Sequence, residues 1–417
     1  MRLKEAYEKF PYDEKEHGNL SNYFRFLATL CETWSASSIR TNYYRQKRLF
    51  VTTAQKLDKN GNITSQTQKL QAESLEPPKD HEIVRTSTNL TTGQQWVITK
   101  KIDGEQEPID LDTIKDAIKT LNIVPINVEP CTYKSNKILR VIYTDVHVAM
   151  ETNKDGYGLY GGVWNKETLN LRKEAIIKEV LHRTTNSQYS EIHLIDLGDF
   201  MDGWDGMTVR RGHDLPQNMS NKEAFKAGLE FKVQLYNSIA QLTKLKVVTH
   251  NITNSNHSND FDYIVNYSAK EILSSQFANC EYFIYQRFIN HYVIGNHCFI
   301  LSHGKDSHNL KFGFKPFIDA KGKEKITEYI KHHNLEKYFC TFEKGDSHQQ
   351  LFDNCTMDRC DYHNYTALSP ASEWVQTNFV KGRSGFTIME VDIEKNEKTI
   401  TPIYFDWERG QTSEFGY

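Results

Sequence analysis

The chain has 417 residues, of which 38% are hydrophobic and 25% are charged, and its formal net charge is -3. This length is enough to bury a sizeable core in two or three domains. The near-neutral charge excludes a uniformly basic nucleic-acid-binding protein, so any such binding must come from a local patch. Seven cysteines without CxxC spacing are typical of reduced thiols. With no signal peptide or apolar run of membrane-spanning length, we expect a soluble cytoplasmic protein that binds no membrane.

Residues 1–55 are predicted to form a small helical domain of two helices joined by a short turn. Phe24, Leu27 and Leu30 mark one apolar face of the first helix. The second helix has no acidic residue and carries four basic ones, Arg40, Arg45, Lys47 and Arg48. This pattern is typical of the recognition helix of a helix-turn-helix DNA-binding domain, whose basic side chains lie against phosphates. The alternative is a plain helical pair with a solvated basic face.

Residues 56–135 are predicted to be a linker followed by a small α+β segment. The polar stretch up to residue 80 contains Asn-Gly and Pro-Pro steps, which are typical of exposed loops. A β-hairpin is predicted across HEIVRTST and QQWVITKK, and an amphipathic helix follows it. The apolar face of that helix is predicted to consist of Leu111, Ile114, Ile118 and Leu121. We assign no chemistry to this segment.

Residues 136–417 are predicted to be an α/β catalytic domain in which five apolar strands end in Asp, His or Asn. In the clearest example an apolar run from Leu194 breaks at Gly198 and then presents Asp199 and Asp202. The other four strand ends present Asp145 and His147, Asn256 and His257, His303, and Asp346 and His348. Open α/β sheets place their ligand sites at the carboxyl ends of such strands.

These side chains offer oxygen and imidazole ligands without thiolate. Such a set suits Mn, Fe, Zn or Mg better than a structural cysteine site does. A single Gly-Asp step after a strand would be an ordinary turn. Five such strand ends in one chain favour a shared metal site.

The five blocks resemble, in the same order, those of the calcineurin-like metallophosphoesterases. That family reads D-x-H, G-D-x-x-D, G-N-H-[ED], an isolated H, and G-H-x-H, and the similarity covers roughly residues 136–405. Two positions depart from the pattern, because Ser255 replaces a Gly and Asp346 replaces the first His of the last block. The resemblance implies a sandwich of two central mixed sheets flanked by helices, here with a small helical domain in front of it.

The resemblance also implies two divalent metal ions bridged by Asp199. The further ligands it implies are Asp145, His147 and His348 for one ion, and Asn256, His303 and Asp346 for the other. A bridging hydroxide would attack phosphorus, His257 would donate a proton to the leaving oxygen, and Asp202 would orient a ligand. Because Asp346 adds an anionic ligand, Mn is expected, with Fe, Zn, Mg or Ni as alternatives.

The substrate stays open from the site alone, because this fold serves phosphatases, phosphodiesterases and nucleases. The N-terminal basic helix favours DNA as the partner and a nuclease as the activity. Arg210 and Arg211, which follow the second block, are candidates to hold a substrate phosphate.

The arrangement is similar to phage-encoded metallophosphoesterases and, more remotely, to SbcCD-type DNA repair nucleases. A phage origin would place the protein in the host cytoplasm. The alternatives are a phosphatase or cyclic-nucleotide phosphodiesterase, and a non-catalytic DNA-binding or virion-associated protein with a degenerate site.

Overall fold

In the computed structural model the described residues are 6, 9–10, 20–30, 39, 81–88, 95–101, 111–120, 134–153, 162–209, 214–277, 280–304, 310, 315–354, 356–378 and 382–405. Six of the predicted site residues lie outside these ranges, namely Arg40, Arg45, Lys47, Arg48, Arg210 and Arg211. The chain divides into two compact units, Met1–Gln106 and Glu107–Tyr417.

In the first unit, helix α1 spans Leu20–Leu30 and buries one apolar face. Phe24 and Leu27 are buried, which confirms the face predicted from the sequence. They belong to a small cluster with Ala6, Tyr23 and Ile39. The predicted hairpin is also confirmed, since β1 (His81–Thr88) pairs antiparallel with β2 (Gln95–Lys101).

Strands and helices alternate along the first part of the second unit, and the rest consists of runs of consecutive strands separated by single helices. Its strands are β3 (Lys137–Tyr143), β4 (Glu191–Asp196), β5 (Lys246–Ile252), β6 (Glu281–Tyr285), β7 (Asn290–Ile294), β8 (His297–Ser302), β9 (Phe339–Lys344), β10 (Leu351–Asp353), β11 (Cys360–Asn364), β12 (Gly385–Asp392) and β13 (Glu397–Tyr404). Its helices are α2 (Leu111–Thr120), α3 (Lys166–Asn186), α4 (Asn221–Thr243), α5 (Asp260–Gln276), α6 (Ala320–His332) and α7 (Glu373–Asn378).

The strands form two mixed sheets. The six-stranded sheet has the order β13-β12-β3-β4-β5-β6, with β3 to β6 parallel and β12–β13 antiparallel as the predicted C-terminal hairpin. The five-stranded sheet has the order β10-β11-β9-β8-β7, with β8, β9 and β11 parallel. The predicted fold class of two mixed sheets flanked by helices is confirmed.

Alternate residues of the six-stranded sheet bury two different faces. Leu139 and Val141 pack into the core that also contains residues of α3, α4 and α5. Ile138 and Ile142 point the other way and pack against Phe299 and neighbouring residues of the five-stranded sheet. Because both faces are covered, β3, β4 and β5 are buried at every residue after the first, including polar ones such as Arg140 and His193.

Two helices show how well local sequence signals predict structure. Helix α4 begins as predicted at Ser220, which forms a capping box with Glu223. In α2 the predicted apolar face is wrong at Ile118, which is 41% exposed, while Thr113 and Ala117 are buried. The buried side of α2 is therefore rotated relative to the predicted one. The spacing of apolar residues in the sequence does not by itself fix which side of a helix packs against the rest of the protein. No helix in the described ranges is both long and apolar enough to cross a lipid bilayer.

Candidate metal centre

The loops that follow β3, β4 and β5 are bonded directly to one another. Asp145 N donates to Gly198 O, and His147 N donates to Asp199 O, each at 3.0 Å. From the loop after β5, His257 N donates to Asp199 Oδ1 at 3.0 Å. Three of the predicted strand ends therefore converge at the carboxyl edge of the six-stranded sheet, as the topology requires.

The loops after β8 and β9 reach the same place from the five-stranded sheet. Gly345 N donates to His303 O, and Asp346 N donates to Asp145 Oδ2, both at 3.0 Å. A Cβ on Gly345 would lie 2.6 Å from Asp145 Oδ2 and closer still to Thr144 Oγ1. The last block therefore needs glycine at this position to approach the first block.

Five of the predicted ligand residues have a left-handed backbone. They are Asp145 (φ 50°), His147 (φ 48°), Asp199 (φ 47°), Asp346 (φ 67°) and His348 (φ 52°). Residues other than glycine rarely adopt this region, which costs on the order of 1–3 kcal/mol each and is concentrated at functional sites. The backbone is thus bent to turn these side chains towards a common point.

The first group of converging side chains is Asp145, His147 and His348, whose ligand atoms lie within 4.8 Å of one another. The Nε2 atoms of His147 and His348 are 3.3 Å apart. Asp145 Oδ1 lies 3.2 Å from His348 Nε2 and 3.7 Å from His147 Nε2. Two imidazole nitrogens and a carboxylate oxygen facing one point fit the donor set of a divalent cation.

A second group lies beside the first and consists of Asp145, Asp199 and His303. His303 Nε2 is 3.0 Å from Asp199 Oδ2 and 3.1 Å from Asn256 Oδ1. Its Nδ1 lies 3.0 Å from Leu197 O, a contact that places the proton on Nδ1 and leaves Nε2 as the donor to a cation. Asp346 is more distant, with Oδ1 at 3.9 Å from His303 Nε2.

Asp202 supports two imidazoles at once. Its Oδ1 is 2.9 Å from Nδ1 of His147 and 3.1 Å from Nδ1 of His257. Because Nε2 of His147 faces the first group, Asp202 places a carboxylate behind this ring, as is common for metal-binding histidines. These three side chains also satisfy the spacing of a cation site by themselves.

The charges of the centre are strongly coupled. Burial lowers the pKa of the His257 and His303 imidazoles, but the carboxylates around them, Asp199 first, raise it to about 9 and about 10. Burial also raises the pKa of the Asp145 and Asp199 carboxyls, but neighbouring histidines outweigh it and hold both well below their usual range. The negative charge of these carboxylates can be compensated either by protonated imidazoles or by bound cations. Cation binding is therefore expected to release protons.

Two contacts at the centre had no signal in the sequence. Trp164 Nε1 donates to His147 O at 2.9 Å, across a loop that separates them in the chain. Val209 N donates to His257 O at 2.8 Å. Val209 is the last described residue before Arg210 and Arg211.

No protein-family model and no characterised protein sequence matches the chain. Several solved structures are similar to the chain, with low sequence identity and low TM-scores. Vps29 of Entamoeba histolytica, solved with Zn²⁺, shares 10% identity over 64% of this chain and 99% of its own, with a TM-score of 0.29. A conserved protein of Streptococcus pneumoniae described as a predicted phosphoesterase shares 8% over 64% and 98%, with a TM-score of 0.26.

The sulfate thiohydrolase SoxB of Thermus thermophilus, solved with glycerol, shares 8% identity over 68% of this chain and 60% of its own, with a TM-score of 0.31. TM-scores of this size are too low to assign an activity. The chemistry of the centre must therefore be argued from its side chains.

Proposed function

We propose that the chain is a metal-dependent phosphoester hydrolase with two adjacent cation sites. The observation that carries this proposal is the convergence of two buried donor groups, with His147, His303 and His348 each directing Nε2 to an acidic centre. A structural cation site would be closed by one set of four ligands. Two neighbouring sets around Asp145 and Asp199 are instead typical of two-metal hydrolases.

The assignment of residues to the two cations is the one that the resemblance implies, and these contacts support it. One cation would be held by Asp145, His147 and His348, and the other by Asn256, His303 and Asp346, with Asp199 between them. Two cations bound there would supply an acidified water and a polarised phosphoryl oxygen. We further propose Mn²⁺ as the native ion, because Asp346 adds a carboxylate where an imidazole would favour a softer metal.

His257 is the imidazole that a substrate can reach. Its side chain is 23% exposed, against 2% for His147 and 1% for His303. Asp202 holds its Nδ1, and its backbone N–H holds Asp199 Oδ1. We assign His257 Nε2 to donating a proton to the leaving oxygen, a role supported by the exposure of this ring and by the contact of Asp202 with its Nδ1.

We propose DNA as the substrate, supported by the basic sequence of the N-terminal segment. Arg210 and Arg211 are assigned to the substrate phosphate, supported by the hydrogen bond of the preceding Val209 to His257 O. The resemblance to phage-encoded and SbcCD-type enzymes belongs to the same proposal, as does a cytoplasmic location. A phosphatase or cyclic-nucleotide phosphodiesterase would use the same centre without the basic segment.

The activity is tested by assaying Mn²⁺-loaded protein on a chromogenic phosphodiester, a chromogenic phosphomonoester and linear DNA. We expect hydrolysis of the diester and of DNA, both abolished by a chelator. Preference for the monoester would favour the phosphatase alternative. If the metal-bound protein hydrolysed none of the three substrates, a non-catalytic protein would be favoured. The presence of Asp346 in place of a histidine is the feature that supports this alternative.

The DNA proposal is tested by changing Arg40, Arg45, Lys47 and Arg48 together to Ala. Each neutralised phosphate contributes roughly 0.9 to the slope of log affinity against log salt, so the slope should flatten by about 2–4. Hydrolysis of the chromogenic diester should persist, because none of these four residues is among the proposed metal ligands. An unchanged salt slope would remove the nucleic-acid role of this segment.

A further inference from the structure

A buried lysine lies beneath the metal centre without belonging to it. Lys232, in the middle of α4, is 4% exposed. Its Nζ forms an ion pair with Asp196 Oδ2 and lies 2.9 Å from Asn251 Oδ1 and 3.3 Å from Tyr143 Oη. The Phe200 ring centroid is 4.2 Å from the same nitrogen. All three donor hydrogens of the ammonium group therefore have a polar partner.

The partners of Lys232 are the ends of three neighbouring strands. Tyr143 and Asp196 are the last residues of β3 and β4, and Asn251 is the penultimate residue of β5. The loops that follow these strands carry the proposed metal ligands. One ammonium group thus connects the three strand ends from which the six-stranded sheet delivers its ligands.

The connection continues into the turn that carries the bridging carboxylate. Asp196 Oδ1 accepts a hydrogen bond from Gly198 N at 3.0 Å. Gly198 has φ +99°, and a Cβ there would lie 3.1 Å from Nδ1 of His303. Its left-handed turn precedes Asp199 directly, so Asp196 and Lys232 fix the position from which Asp199 projects.

Burying a lysine is costly, and a buried ion pair is often no more stabilising than apolar side chains of similar volume. A methionine at position 232 would pack against Phe200 and Tyr143, and a neutral side chain at position 196 would remove the unpaired carboxylate. A stability role alone therefore explains the charged group poorly. A role in geometric specificity explains it, because three directed hydrogen bonds fix the relative positions of three strands.

We propose that Lys232 is a positioning residue for the metal centre, acting through Asp196, Asn251 and Tyr143. This inference rests on the proposed function in that the three loops must bind cations. Lys232 touches neither substrate nor cation. It sets the spacing of the Asp145, Asp199 and Asn256 loops, on which two adjacent cation sites depend.

The test compares Lys232→Met with Lys173→Met as a matched control. Lys173 is 3% exposed, and its Nζ bonds to the amide oxygens of Asn170 and Gln234 on helices α3 and α4. It is thus a buried lysine whose hydrogen-bond partners Asn170 and Gln234 lie on helices and away from the strand ends. A double variant, Lys232→Met with Asp196→Asn, removes both halves of the ion pair and leaves no buried lone carboxylate.

The readouts are Mn²⁺ affinity by titration calorimetry, the electron paramagnetic resonance signal of the Mn²⁺-loaded protein, and the thermal unfolding midpoint. We expect Lys232→Met to weaken Mn²⁺ binding by about 10–100-fold, the range for residues that support ligands. It should also lose the signal of a spin-coupled Mn²⁺ pair. Lys173→Met should retain wild-type affinity. The double variant should recover thermal stability while its affinity stays low.

Two results would overturn the inference while leaving the proposed function intact. One is wild-type Mn²⁺ affinity and a coupled signal in Lys232→Met. The other is a double variant that regains affinity together with stability, which would make the role of Lys232 purely structural. A wild-type protein that binds no Mn²⁺ would overturn the proposed function and this inference together.

Discussion

Two buried polar clusters in the second unit differ in how their charges are satisfied. Between the sheets, Arg140 donates to both carboxylate oxygens of Glu343 at 2.8 and 2.6 Å and to Tyr292 Oη at 2.9 Å. Tyr365 Oη donates to the same carboxylate at 2.8 Å. We call these four residues the inter-sheet cluster. Its opposite charges face each other, so the cluster is complete without a ligand.

The metal centre has the opposite pattern. The Nε2 atoms of His147 and His348 face each other at 3.3 Å, and carboxylates of Asp145 and Asp199 lie beside them. Imidazole nitrogens and carboxylate oxygens, all of them possible cation ligands, converge there on a strained backbone. The comparison shows that burial and polarity alone do not mark a functional site. Convergence of several possible cation ligands on one point is what distinguishes the candidate metal centre from the inter-sheet cluster.

The largest effect should come from Asp199, the carboxylate that we propose to bridge the two cations. Asp199→Asn keeps the shape of the side chain and removes the charge that lies between the two donor groups. We expect hydrolysis of a chromogenic phosphodiester to fall on the order of 10⁴-fold, as when one member of a catalytic unit is removed. Steady-state kinetics with saturating Mn²⁺ measures this. Activity within tenfold of wild type would show that Asp199 does not bridge.

A smaller loss is expected at His257, which supports the reaction without holding a cation. His257→Gln should lower turnover by about 10²–10⁴-fold on substrates with poor leaving groups, the range for a general acid. The loss should shrink on substrates whose leaving group needs no proton. Metal content, measured by elemental analysis, should match that of wild type. A variant that loses its metals would make His257 a ligand.

A substitution in the inter-sheet cluster should lower the stability of the protein without changing its affinity for metal. Arg140→Met leaves Glu343 buried without its partner, which should lower the free energy of unfolding by about 3–5 kcal/mol. Denaturant titration measures the loss, and Mn²⁺ affinity of the folded variant should stay at the wild-type value. Adding Glu343→Leu should recover most of the stability. A large drop in Mn²⁺ affinity with Arg140→Met would mean that the two clusters are coupled.

A smaller effect is expected in the pH dependence of thermal stability, to which the histidines of the metal centre contribute. His257 and His303 have a higher pKa in the folded chain, about 9 and about 10, than in the unfolded chain, where histidine titrates near about 6.5. Their contribution to stability is complete below that lower value and is lost as pH rises through the folded values. Without metal, the unfolding midpoint should therefore fall as pH rises from about 6.5 to about 10.

Saturating Mn²⁺ should reduce that fall, because a cation replaces the protons and its affinity rises with pH. Differential scanning calorimetry in the presence of a chelator or of Mn²⁺ gives both curves. Parallel curves across this pH range would show that cations and protons do not compete at these imidazoles.

The sequence predicts the chemistry of the site better than its geometry. The strand ends were recognisable because an apolar run followed by Asp or His is a local pattern, as at Asp199 and His303. The N-terminal cap of α4 at Ser220 is local as well. The left-handed backbone at His147 and His348 was not predictable, since histidine adopts other conformations freely and only the packed loops impose this one.

Lys232 illustrates the other kind of failure. In the sequence of α4 it follows Lys222 and Lys226, which belong to the same helix, and a lysine in such a helix normally faces solvent. Only the pairing of β3, β4 and β5 brings Asp196, Asn251 and Tyr143 together beneath it. The error at Ile118 of α2 has the same origin, because packing against a neighbouring element decides which side of a helix is buried.

The central claim is that the converging donor groups hold two cations with Asp199 between them. Titration of metal-free protein with Mn²⁺, followed by elemental analysis of the isolated complex, tests it most directly. The wild-type chain should bind two ions, release protons as it does so, and bind both ions more weakly after Asp199→Asn. Saturation at one ion per chain, or an Asp199→Asn variant with undiminished affinity for both, would contradict the claim.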